Sequence, residues 1–195
     1  MALVVRRKAR NNAGVREDVH IRDPIHGTIA VSLSEIKLID HPAFQRLRGI
    51  KQLGFADLAF PGATHTRYSH SLGAMHLATR LFDRLFPGRS AGGGGGGSRG
   101  AEWDAPGADL PDRVRHRFRQ ATRLAMLFHD LGHAPLSHTT EMLMPAVGEL
   151  GLGVFGGTNV SRRATHEDYT LKIVLDSTLG EIGRASCRER VLASV

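Results

Sequence analysis

Cysteine is almost absent from this chain of 195 residues; Cys187 is the single one. No internal disulfide can form, which excludes a disulfide-built secreted scaffold and makes a reducing compartment, most simply the cytoplasm, the expected location. No apolar run approaches the roughly 18 residues that a membrane span requires, so no membrane partner is expected. The opening stretch Met1-Ala2-Leu3-Val4-Val5-Arg6-Arg7-Lys8 places its charges after a short apolar patch, the reverse of a secretory signal. Acidic residues are also in deficit, 19 Asp and Glu against 26 Lys and Arg, for a formal charge of +7. Much of the surplus sits near Arg6 to Arg10 and Arg113 to Arg119. Such faces hold nucleic acid or polyphosphate, or are plain solvated surface, and nucleic acid stays open as a partner. With 41% hydrophobic residues the chain can still build a sizeable core. Its length suits one domain, or one and a part.

Residues 1 to 18 read as a basic, weakly ordered arm, and residues 19 to 182 as the folded domain. Val19 to Arg22 and Thr28 to Val31 flank the turn Asp23-Pro24-Ile25-His26-Gly27, which predicts a small β-ribbon. Ser34 is placed to cap a helix carrying Ile36, Leu38 and Ile39. Over residues 43 to 53 the apolar positions Phe44, Leu47, Ile50 and Leu53 form a helical stripe, with Arg46, Arg48, Lys51 and Gln52 off it. Phe60-Pro61-Gly62-Ala63 is a turn, and His70 to Leu85 another helix. The glycine run Gly92 to Gly97 predicts a flexible insertion over about 88 to 110. Loop-closure entropy grows slowly with length, so the helices it joins can still pack together. Residues 113 to 131 form the next helix, Gly148 to Gly157 a loop, and Thr165 starts a last helix running to Leu175. Beyond Gly183 the apolar periodicity stops; residues 183 to 195 read as a non-native tail or as an ordinary polar terminus.

The chemistry is concentrated in Phe128-His129-Asp130-Leu131-Gly132-His133-Ala134-Pro135-Leu136-Ser137-His138, directly after the apolar run Leu124 to Phe128. Polar groups delivered into a buried interior are costly unless something binds them, and a metal ion suits this set. On a continuing helix His133 would share a face with His129. The segment Thr64 to Gly73, with His70, is expected to meet it. Imidazoles and a carboxylate without nearby cysteine suit zinc, iron, manganese or related ions rather than a structural zinc site. For a lone His–Asp pair the alternative is a hydrogen-bonded core histidine; the clustering of His129, Asp130, His133 and His138 favours the metal.

These residues resemble the HD superfamily of metal-dependent phosphohydrolases, and more narrowly its deoxynucleoside triphosphate triphosphohydrolases, vertebrate members included. The matching segments are Asp23 to Gly27, Phe44 to Arg48, Ile50 to Gly54, Phe60 to Ala63, Arg67 to Gly73, His129 to His138 and Thr165-His166-Glu167. The resemblance implies an all-α HD-domain fold around a metal site, with the small β-ribbon near the N-terminus. It implies His70, His129 and Asp130 as ligands of a divalent ion (Fe, Mn, Zn or Mg). A further aspartate ligand of the family has no match here, since nothing around Asp176 fits its motif. The implied reaction removes the whole triphosphate from a dNTP. Arg67 would grip a phosphate and His138 would act as general acid with Glu141 beside it, where a vertebrate relative has aspartate. His133 and His166 would contact phosphates or orient the reacting groups. For Glu141 a solvent-facing helix charge, and for His166 a helix-capping role, are the alternatives. Gln52 and Leu53 would pack on the deoxyribose; Leu53 otherwise belongs to the helical stripe. Asp40, Gln45 and Arg48 match a regulatory site for a guanine-nucleotide activator, which would imply a homo-oligomer. Arg22 and Thr28 depart from that site's pattern. Another HD phosphohydrolase, acting on nucleotides or nucleic-acid ends, and an inactive nucleotide-binding fragment are the competing readings.

Overall fold

The structure, a computed structural model, describes residues 5–11, 14–87, 110–156 and 160–182. The expected insertion and the expected tail fall outside these residues, apart from Leu110. Three strands, β1 (Val5–Asn11), β2 (Gly14–Asp23) and β3 (Gly27–Ser32), form an antiparallel sheet in the order β1-β2-β3. In the β2–β3 register Val19 faces Val31 and Ile21 faces Ile29, and all four are buried. That is the period-2 alternation of a sheet with one face on the core. Asp23 Oδ1 accepts from the Ile25 and His26 amides at 2.9 and 2.7 Å, and Gly27 at φ +73° closes the turn. The predicted ribbon is therefore present, but it is wider than expected. Residues 5–11 and 14–18, read as an arm, pair with each other and extend the sheet. Ladder hydrogen bonds need no apolar face, so a charged composition did not reveal them.

Helix α1 (Leu33–Ile39) is capped by Ser32, not Ser34. The Ser32 hydroxyl accepts from the Glu35 amide at 3.2 Å, and the Glu35 carboxylate accepts from the Ser32 amide at 2.8 Å, a reciprocal capping box. The expected helix over 43 to 53 is broken. It is a single turn, α2 (Pro42–Gln45), then 3-10 turns at Arg46–Gly49 and Gly54–Leu58. The cause is a competing pairing: Gln52 N bonds to His65 O at 3.1 Å and Arg67 N to Ile50 O at 2.9 Å. Phe44, Leu47 and Ile50 remain buried, whereas Leu53 is 43% exposed and off the stripe.

Helix α3 (Arg67–Leu85) starts at the Thr66 cap and buries Tyr68, Leu72, Met75, Thr79 and Phe82, one face at alternating steps of four and three. Helix α4 (Asp112–Phe128) packs along it. Two arginines tie the pair: Arg119 reaches both oxygens of Asp83 at 2.7 and 2.9 Å, and Arg123 enters the core. Helix α5 (His166–Asp176) and 3-10 turns at Ser137–Leu143, Val147–Leu150 and Gly153–Phe155 complete the described elements with a short helical turn at 178–182. The stretch expected as a loop after Gly148 thus carries 3-10 turns over a small second cluster of Val147, Leu150, Phe155 and Ala164. The fold is mainly helical with a small N-terminal sheet, as expected. Among the described residues no helix is long and apolar enough to cross a membrane.

Arg123 and Glu35 form the polar centre of this packing. The guanidinium meets the carboxylate at 2.6 and 3.0 Å, the Thr79 hydroxyl at 2.8 Å and the Ala30 carbonyl at 3.0 Å, joining α4, α1, α3 and β3. Burial alone would raise the Glu35 carboxyl, but the hydrogen bonds and charge of Arg123 outweigh it and hold it below its ordinary value. Removing one partner of such a buried pair strands the other, so Arg123→Ala is expected to cost about 3–5 kcal/mol in chemical unfolding. A folded-state pKa below the unfolded one stabilises above the unfolded value. The contribution is therefore expected to be lost as pH falls below about 4.3, and this acid sensitivity should be smaller in Arg123→Ala.

Candidate functional site

Helix α4 ends at Phe128, earlier than predicted, and turns take over: Leu131 N bonds to Phe128 O at 2.8 Å and His133 N to Asp130 O at 3.1 Å. His129 stays at the helix end, and His133 is carried away from it instead of following on the same helical face. His129 Nδ1 lies 2.8 Å from the Met126 carbonyl. A carbonyl only accepts, so Nδ1 carries the proton and Nε2 presents its lone pair. That nitrogen is 3.2 Å from His70 Nε2 and 3.4 Å from Asp130 Oδ1, while His70 Nε2 is 3.7 Å from Asp130 Oδ2. Three donor atoms thus converge within 4.8 Å of one another. Two imidazole nitrogens and one carboxylate fit a divalent ion and leave coordination positions for water or substrate. Burial, reinforced by the positive charge of Arg67, pushes the His70 pKa down against the pull of Asp130, which favours the neutral, ligating ring at neutral pH. Burial would raise the Asp130 carboxyl, but the donors facing it from His133 and Arg67 hold it well below the usual carboxylate range.

Arg67 sits at the start of α3 and is 3% exposed. Its Nη1 donates to Asp130 Oδ2 at 2.5 Å, and Nη2 donates to the Ser137 hydroxyl and to the Gln52 carbonyl at 3.5 Å. The residue expected to reach toward phosphate is therefore turned inward, onto the Asp130 carboxylate.

A second group adjoins Asp130, whose Oδ1 faces both His129 and His133. His133 is 0% exposed, and its Nε2 stands 3.5 Å from Asp130 Oδ1, too long for a well-formed hydrogen bond. Neither of its ring nitrogens has a hydrogen-bond partner. Its ring stacks on His166 with centroids 3.8 Å apart and planes 15° from parallel. Glu141 Oε1 meets His166 Nδ1 at 2.5 Å and His138 Nδ1 at 3.1 Å. Glu141 is thus shared between two histidines, and the bond to His166 is the shorter. Burial would raise the Glu141 carboxyl, but the hydrogen bonds and charges of His166 and His138 together hold it below its ordinary value. These four donor sets also lie within 4.8 Å of one another. An ion binds in the plane of an imidazole, however, and cannot lie in the planes of two stacked rings at once. The group suits proton transfer and contact with anionic oxygens better than a second metal.

Close backbone packing makes this arrangement. A Cβ on Gly132 would overlap the His166 carbonyl and the Thr170 amide, so α5 sits directly on the glycine. The Thr170 hydroxyl accepts from Gly132 N at 2.8 Å. The helix start is capped by Asp168, whose carboxylate accepts from Thr165 N at 2.8 Å and from Arg162 at 2.7 Å. His166 is thereby released from capping. Leu136 and Ser137 adopt left-handed backbone at φ 67° and 60°. Strain of this kind is sustained only where the surroundings enforce it, here by Arg67 on Ser137 and by Gly54, whose added Cβ would lie 2.9 Å from the Leu136 carbonyl.

Gln52 lies beside Arg67, and its side-chain oxygen is buried with no hydrogen-bond partner; Leu53 is solvent-facing. Asp40, Gln45 and Arg48 sit together near Tyr68. Arg48 Nε donates to Gln45 Oε1 at 2.7 Å, and its guanidinium lies 3.6 Å over the Tyr68 ring, away from the metal donors. Asp176 pairs with Lys172 at 3.0 Å on the surface of α5 and joins neither donor group. Sequence reasoning missed Arg46, Ser137 and Thr170, because a side chain binding distant backbone leaves no spacing signal.

A two-histidine, one-aspartate donor set at a helix end, with a carboxylate-linked histidine group beside it, defines a helical metal-binding catalytic domain. The chain belongs to the HD-domain family, whose sequence model, described as HD domain, matches residues 67–191. It is 40% identical over 119 residues to the human deoxynucleoside triphosphate triphosphohydrolase SAMHD1, covering 60% of this chain and 16% of that protein. It is 32% identical over 154 residues to the SAMHD1 homolog of Dictyostelium discoideum, covering 79% of this chain and 24% of that protein. Among solved structures, a hypothetical protein from Aquifex aeolicus superposes with a TM-score of 0.57 at 32% identity, over 86% of this chain and 33% of that one. The chain therefore spans between about a sixth and a third of the length of these relatives.

Gly132→Ala is expected to push α5 off the loop and destabilise the fold by about 1–3 kcal/mol or more in denaturant unfolding. Gly62→Ala, where an added Cβ meets nothing within 4 Å, should stay within about 0.5 kcal/mol of the parent.

Proposed function

We propose that this chain carries the catalytic half-site of a dNTP triphosphohydrolase, cleaving a deoxynucleoside triphosphate to deoxynucleoside and triphosphate. The observation that carries the reading is the placement of two chemically different groups next to each other at Asp130: a metal donor set, His70, His129 and Asp130, and a Glu141-linked histidine pair. Hydrolysis at the α-phosphorus needs both, an activated water on one face and a proton for the leaving 5′-oxygen on the other. A divalent ion held by the donor set would supply Lewis acidity at the phosphoryl oxygens and an acidified water.

The chain's own residues take the remaining roles. His138 is exposed, and its Nδ1 faces Glu141, so Nε2 is turned to the open side where a leaving oxygen can take its proton. Glu141 links both rings through one carboxylate oxygen. His166 is proposed to face phosphate oxygens, with the fully buried His133 stacked against it to orient its ring. Arg67, buried and engaged by Asp130 and Ser137, orients the Asp130 carboxylate. The unpartnered Gln52 oxygen is free to accept from a sugar hydroxyl, and Leu53 presents an apolar edge to deoxyribose. Packing there would disfavour a 2′-hydroxyl. Asp40, Gln45 and Arg48 are proposed as part of a guanine-nucleotide activator site, with assembly into a homo-oligomer as its consequence. The names of the human and Dictyostelium relatives support the substrate class.

Incubation of the chain with manganese or iron and each dNTP, followed by ion chromatography, tests this. Inorganic triphosphate and deoxynucleoside are the expected products; pyrophosphate or orthophosphate as primary product would overturn the reading. His138→Ala and Glu141→Gln are each expected to lower kcat by roughly 10²–10⁴-fold with bound metal retained.

A further inference from the structure

We propose that Arg46 is a positioning residue for the His129–His138 loop, holding His133 in register with His166 and the metal donors. Its Nη1 donates to the His133 carbonyl at 2.6 Å and its Nη2 to the Leu131 carbonyl. Both carbonyls lie past the end of α4, where no helical amide can reach them. One planar fork satisfies both and bridges the residues on either side of Gly132.

The anchor is rigid. Arg46 stands between Phe44 and Leu47, both fully buried, so its backbone is fixed by the core and its side chain spans the gap to the loop. No carboxylate among the described residues pairs with the guanidinium, and desolvation of the group lowers its pKa from the ordinary value. Arg46 as a whole is exposed, so solvent screens much of its charge, and its two bonds to loop carbonyls act on the geometry of the loop more than on overall stability. His133 is where that geometry matters. Its ring nitrogens make no well-formed hydrogen bond, and Nε2 faces Asp130 Oδ1 only at 3.5 Å, so its direction depends on its backbone and on the stack on His166 as well as on that long contact. The backbone is held by two polar contacts, its amide on the Asp130 carbonyl and its carbonyl on Arg46. His129 is different, because its ring is oriented by the Met126 carbonyl within α4. Loss of Arg46 should therefore disturb the His133–His166 pair and spare the metal donors.

The kinetic consequence of this role rests on the hydrolase reading above, whereas its structural consequence does not. The test uses Arg46→Ala and Arg46→Lys in the full chain, with imidazole NMR of selectively labelled histidines, manganese stoichiometry and dNTP turnover. In Arg46→Ala the His133 and His166 ring resonances are expected to move, since ring stacking at 3.8 Å gives large mutual shifts. The His70 and His129 resonances and one bound manganese per chain should be kept. The kcat should fall about 10–100-fold with KM changed less than about threefold, the pattern of a lost supporting contact. Arg46→Lys, which donates as a point charge, should recover part of both the ring shifts and kcat. Unchanged His133 and His166 resonances, or loss of manganese together with the shifts, would overturn the proposal. If Arg46→Ala does not fold, Arg46→Lys decides by the same resonances. If the parent chain turns over no dNTP, the functional reading fails and the NMR and manganese arms still decide the role of Arg46.

Discussion

The buried pair between Arg67 and Asp130 is the interaction on which the site depends. Both residues are 3% exposed, and they join the first turn of α3 to the loop after α4 at 2.5 Å. The same guanidinium reaches Ser137 across a backbone held in left-handed conformation, so one cation fixes both ends of the loop that carries the chemistry. A buried ion pair is seldom a net source of stability. Its value here is geometric, because it keeps Asp130 ionised and aimed between His70 and His129. The separate Arg123–Glu35 centre holds α3 and α4 together and so sets the distance across which Arg67 works.

Asp130 also adjoins both groups of the site. One group includes the His129 nitrogen whose lone pair is exposed by the tautomer that the Met126 carbonyl enforces; the other is histidines joined through Glu141. A single loop supplies both groups because helix α4 stops at Phe128, sending His129 and His133 in different directions. Gly132 lets α5 close on that loop and deliver His166. The chemistry of each group follows from geometry: converging donors bind a cation, and stacked rings sharing a carboxylate move protons.

What the sequence made legible was the material of the site. Three histidines and an aspartate after an apolar run, and a second zone around His70, were enough to predict that the two meet. The ribbon at Val19 to Val31 and the helix around His70 to Leu85 followed from periodicity, as did the helix expected over 113 to 131, which ends at Phe128. Contacts of backbone with distant residues were not legible. The 43 to 53 stripe breaks because residues 50 to 52 pair with 65 to 67, and no local pattern encodes that. The split between His129 and His133 was hidden in a helix end set by packing, and the inward turn of Arg67 depended on a carboxylate 63 residues away. Residues 88 to 109 and 183 to 195 lie outside the described residues.

Anomalous diffraction from crystals of the chain grown with manganese tests the central claim most directly. The account predicts one strong peak about 2.0–2.2 Å from His70 Nε2, His129 Nε2 and an Asp130 oxygen, with none among His133, His138, Glu141 and His166. A peak centred on that second group, with the His70–His129–Asp130 position empty, would contradict it.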